Sequence, residues 1–83
     1  MDYEMIEEKV KDFILENLKS AKKYYKNDTQ GILNCRAIAF GALQFATNNL
    51  FPSYNIDLAK WWEEEAWNEF DKLMRGDENE WLW

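Results

Sequence analysis

The stretch from Leu58 to Phe70, LAKWWEEEAWNEF, sets three consecutive glutamates among three tryptophans and a phenylalanine. Clustered carboxylates suggest a divalent cation or a general acid–base pair, whereas exposed indoles suggest docking. Spacing decides against the first two. Successive helical residues point about 100° apart, so Glu63, Glu64 and Glu65 fan round a helix and cannot converge on one ion or one substrate atom. A Glu-x-x-Glu pair, Glu4 and Glu7, has the spacing that small helical pyrophosphatases use for magnesium. No matching Glu-x-x-Asp follows in the third helix, and such spacings arise readily in acidic helices.

The chain has no histidine and a single cysteine, Cys35. Histidine acid–base catalysis, Ser-His and Cys-His nucleophiles, a Cys/His zinc site and an intramolecular disulfide are all excluded. No cofactor or metal is called for. One other group invites chemistry. Arg36 is the only cation between Lys26 and Lys60 and falls on an apolar side of its helix, between Phe40 and Leu43. A half-buried guanidinium needs an acceptor, and Glu63, at the edge of an apolar arc, is the best candidate. Arg36, Glu63 and Asn17 are therefore expected to form a structural ion-pair site or a small anion site. Asn17, in the middle of the apolar arc of the first helix, is expected to be a buried amide bonded to a neighbouring helix, or a ligand contact.

These side chains need a scaffold, and the periodicity predicts three helices, over about 2–25, 29–49 and 56–75, with a tail at 76–83. Ile6, Val10, Ile14, Leu18, Ala21 and Tyr25 recur at steps of three and four, as one face of an amphipathic helix does. Early acids and late lysines complement its macrodipole. Asp28 or Thr29 caps the second helix, and Asn55 or Asp57 the third; Gly76 fits the position just past the end of the third. The second helix is apolar nearly all round, which predicts a central place. Its one non-apolar stripe is Gln30, Asn34, Ala37, Gly41, Gln44 and Asn48. Because Gly41 weakens the helix by about 1 kcal/mol relative to alanine, a packing reason is expected, and the stripe is a candidate homodimer seam. In the third helix, Leu58, Trp62, Ala66, Phe70 and Leu73 make the buried face. Lys60–Glu64, Glu69–Lys72 and Asp71–Arg75 are spaced for surface pairs. Short connections between three helices predict one all-α domain over residues 1–83, a compact three-helix bundle with a short Trp-rich tail.

Charge narrows the function. The net charge of −6 resides wholly in residues 57–83, which hold nine acids against three bases. An acidic, tryptophan-rich end disfavours nucleic-acid binding, because phosphate contacts need cations. It suits a protein partner with a basic surface, met by Trp61, Glu64, Glu65, Trp67, Asp71, Trp81 and Trp83. The expected function is a small acidic, non-enzymatic protein-interaction module, engaging a basic protein or its own copy. The alternatives are a phage- or mobile-element-type inhibitor whose charge imitates nucleic acid, and a small-ligand or metal-dependent enzyme built round Arg36, Glu63 and Asn17. No run approaches the length of a membrane span, and no basic-then-apolar leader stands at the start, so a cytoplasmic setting is expected.

Overall fold

The computed structural model describes residues 2–75. Helix α1 spans Tyr3–Tyr24. Helix α2 spans Thr29–Phe45 and continues through a π turn, Ala46–Leu50. A third rod is made of α3, Ile56–Trp61, a π turn, Trp62–Ala66, and α4, Trp67–Arg75. The fold is an all-α three-helix bundle.

Each rod begins with a side-chain cap of an orphan backbone N–H. Asp2 Oδ1 accepts from the Met5 amide at 3.2 Å, Asp28 Oδ1 from Gly31 at 3.1 Å, and Asn55 Oδ1 from Leu58 at 3.0 Å. The turn between α1 and α2 needs a left-handed residue, and Asn27 supplies it at φ 67°; asparagine tolerates that region better than most residues. Asn55 also donates through Nδ2 to Glu7 Oε1 at 3.2 Å. That bond ties the start of the third rod to the start of α1, so the two run in the same direction with α2 reversed between them.

The core is one continuous cluster. Ile14, Leu18 and Ala21 come from α1, and Ile32, Cys35, Ala39, Leu43 and Ala46 from the α2 rod. Leu58, Trp62, Ala66, Phe70 and Leu73 complete it from the third. Phe70 is 0% exposed, and truncating so large a buried ring is worth about 3–5 kcal/mol, a large share of a small domain's stability. The π turns keep the third stripe aligned. Leu58, Trp62, Ala66 and Phe70 recur at steps of four, and each such step carries an α-helix about 40° past a full turn. The wider π turn takes more residues per turn and brings the stripe back. In the α2 rod the buried Thr47 hydroxyl donates to the Leu43 carbonyl at 2.9 Å, so it carries no unpaired polar atom into the core.

One expectation about a helix interior is corrected. Asn17 does not reach a neighbouring helix; it is half-buried and its Nδ2 donates to the Phe13 carbonyl, one turn back in α1, at 3.0 Å. At Gly41 a Cβ would meet nothing within 4 Å among the described residues, so no contact within the described bundle accounts for that glycine. The glycine that packing does require is Gly31. A Cβ there would lie 2.3 Å from Tyr25 Cδ1 and 2.8 Å from Tyr25 Cβ, because the chain leaving α1 folds Tyr25 onto the first turn of α2.

Candidate protein-interaction surface

The acidic, tryptophan-bearing part of the chain is the third rod, and the structure divides it into two sides. On the side facing α1, Trp61 is half-buried, with Lys11 Nζ 5.4 Å from its ring centre. Trp61, Glu64 and Glu65 line a groove of 730 Å³ with Leu15, Lys19 and Lys72. Both signs of charge are interleaved there: Glu69 pairs with Lys72 at 3.8 Å, and Asp71 with Arg75 at 3.3 Å. Such exposed pairs contribute a few tenths of a kcal/mol and leave little net field. The third spacing, Lys60–Glu64, closes no ion pair among the described residues.

Trp67 lies on the other side, towards α2. Its ring is 40% exposed, yet it is held in place. The Arg36 guanidinium lies 4.2 Å from its centre, and Trp62 packs on it at 6.2 Å with the planes at 59°. The expected Arg36–Glu63 ion pair is therefore not formed. Arg36 is half-buried and finds its acceptor in the face of an indole, an alternative electron-rich partner for a guanidinium. Glu63 is exposed, and among the described residues it has no ion-pair partner. Arg36, Glu63 and Asn17 do not form one site: they are committed to an indole, to solvent and to the Phe13 carbonyl respectively.

Beside Trp67 is a second cavity, of 410 Å³, lined by Phe40, Gln44, Tyr54, Trp62, Glu63 and Trp67 among others. Phe40 packs on Trp62 at 5.6 Å with the planes at 43°. Trp62 is buried and makes the floor, while Phe40, Tyr54 and Trp67 are each about half-exposed and make the walls. Phe40 and Tyr54 have no place in the sequence-level reading of the site. The signal available was Phe40 at the edge of the apolar arc of α2 and Tyr54 in the turn that leads into α3.

The stripe Gln30, Asn34, Ala37, Gly41, Gln44 and Asn48 is exposed throughout. Its amides bond along the helix: Gln30 Nε2 to Asn34 Oδ1 at 3.1 Å, and Asn48 Nδ2 to the Gln44 carbonyl at 2.9 Å. Ile38 and Phe45 flank it, 54% and 59% exposed, and no charged residue lies on it. Trp81 and Trp83 lie outside the described residues.

Among the described residues no three cysteine or carboxylate side chains gather as metal ligands would, and no helix is long and apolar enough to cross a membrane. Burial pushes the Cys35 thiol above its ordinary pKa, which disfavours the reactive thiolate. The molecule is thus an all-α bundle whose distinctive surface is aromatic and acidic. No family model, curated protein or solved structure matches this chain.

Proposed function

We propose that this protein is a non-enzymatic protein-interaction module that meets a basic partner with the α2-facing side of its third rod. Trp67 is the anchor, Phe40 and Tyr54 extend the aromatic surface, and Glu63 supplies the acidic edge. The observation that carries the reading is Trp67 itself. It is a large indole left 40% exposed although a complete core exists beneath it, and Arg36 and Trp62 hold it in one place. An ordered aromatic loses little side-chain freedom on binding, which is how interface anchors gain affinity. The unpaired Glu63 beside it adds attraction to a cationic surface and raises the association rate at low salt. The tryptophan-rich face envisaged from sequence becomes narrower in this reading: Trp61, Glu64 and Glu65 line the groove on the other side of the rod. A cytoplasmic setting suits the buried thiol of Cys35, which stays reduced there.

A second copy of the chain is the other partner with a specific observation in its favour. The outer face of α2 carries no charge, so two chains of net charge −6 could meet there with the least repulsion.

The test is a paired capture from the native host with wild type and Trp67→Ala as bait, read by mass spectrometry. The reading predicts a partner of basic surface, captured by wild type, lost from Trp67→Ala and released by moderate salt. A partner held equally by both baits would refute the assignment of this surface.

A further inference from the structure

The 410 Å³ cavity beside Trp67 has a chemistry of its own. Its floor is the buried Trp62, and its walls are Phe40, Tyr54 and Trp67. The rings do not stack flat. Phe40 and Trp62 are inclined at 43°, and Trp62 and Trp67 at 59°, so that they splay round a space instead of filling it. Ring faces carry negative quadrupolar potential, and several of them round one space attract a compact cation. Glu63, a carboxylate with no ion-pair partner among the described residues, lines the same cavity. No lysine or arginine does. Arg36 touches the Trp67 ring without being among the lining residues, so it steadies one wall and leaves the space itself to another cation.

We propose that this cavity takes the alkylammonium head of a lysine side chain presented by the partner. This rests on the interaction reading above and specifies what that surface recognises. The head would sit between the Phe40 and Trp67 rings over Trp62, with Glu63 offsetting its charge. The apolar stem of the lysine would lie against Tyr54 on the way out, as long cationic side chains do when they bury their methylenes and keep the charge paired. The geometry disfavours arginine: the planar guanidinium stacks on a single ring, as Arg36 already does on Trp67, whereas a compact ammonium suits a space walled on several sides.

The full-length protein is titrated with Nα-acetyl-lysine methylamide, Nα-acetyl-arginine methylamide, tetramethylammonium chloride and sodium chloride, at matched ionic strength. The indole N–H resonances of Trp62 and Trp67 are followed. The lysine compound is expected to shift both, with a dissociation constant on the order of millimolar for so small a ligand. Sodium should shift neither, and arginine less than lysine. Phe40→Ala and Glu63→Gln alter exposed positions, so the fold is kept. Each is expected to weaken lysine binding about threefold, the size of one exposed cation–π or ionic contact. No shift with the lysine compound, or a shift undiminished in both variants, overturns the proposal. A response to tetramethylammonium alone overturns it in favour of a free quaternary amine. If the lysine compound fails while capture of the partner still depends on Trp67, the cavity assignment falls and the interaction reading stands. If it binds while capture ignores Trp67, the cavity stands and that reading falls.

Discussion

The guanidinium of Arg36 lies 4.2 Å from the centre of the Trp67 ring and joins α2 to α4 through a cation–π contact in place of an ion pair. The distinction has energetic content. An arginine paired to a buried carboxylate cannot lose its side chain without stranding a charge, at a cost of about 3–5 kcal/mol. A half-exposed arginine on an indole strands nothing.

Arg36→Met should therefore lower stability by only about 1 kcal/mol, the value of one partly exposed cation–π contact, and urea unfolding followed by circular dichroism reads it. The same substitution should make Trp67 more accessible to acrylamide. A loss above about 3 kcal/mol would restore the buried ion pair.

The two glycines of α2 should respond in opposite directions to the same change. Gly41→Ala fills open space on an exposed helical surface and is expected to stabilise the monomer by up to about 1 kcal/mol. Gly31→Ala gains the same propensity but drives a methyl against Tyr25 Cβ and its ring, so a net loss of about 1 kcal/mol or more is expected. If both variants shift the denaturant midpoint upward, Tyr25 is free to move away. Gly41 also tests self-association: light scattering of wild type against Gly41→Leu should differ at high concentration if the α2 face meets a second copy. Two identical monomers would remove the seam from consideration.

Asn55 acts twice, as the cap of α3 and as a donor to Glu7. Asn55→Ala loses both bonds and should cost about 1–2 kcal/mol. Asn55→Asp keeps the cap acceptor and sets a second carboxylate against Glu7. Repulsion between the two carboxylates acts only where both are ionised, so relative to wild type the variant is expected to lose more stability at pH 7 than at pH 4. Thermal midpoints at pH 4 and pH 7 for wild type and Asn55→Asp give the comparison, and equal pH responses would mean that the two side chains separate in the variant.

How much of this was legible in the sequence follows from how local each feature is. The helices are visible because caps and periodicity are short-range: Asp28 and Asn55 sit one residue before their helices, and the stripe from Leu58 to Leu73 repeats along its own rod. The site is less legible because its relations cross between helices. That Arg36 needs an acceptor could be read from its position, but whether the acceptor is Glu63 or the Trp67 ring depends on the register of α2 against the third rod. Trp61 and Trp67 are six residues apart in an acidic run and read as one face, yet an intervening π turn helps place them on opposite sides. The need for glycine at position 31 was not legible, because the neighbour that requires it, Tyr25, comes from the preceding turn.

The central claim is that Trp67 and the acidic residue beside it form the partner-binding surface. The most direct measurement is calorimetric titration of the captured partner, once purified, into wild type, Trp67→Ala, Glu63→Gln and Gly41→Leu at two salt concentrations, with thermal midpoints confirming that each variant is folded. The account predicts at least about a tenfold loss of affinity for Trp67→Ala, as for an interface anchor, a smaller and salt-sensitive loss for Glu63→Gln, and wild-type affinity for Gly41→Leu. Unchanged affinity in folded Trp67→Ala, or a loss confined to Gly41→Leu, would contradict it and move the binding surface to the outer face of α2.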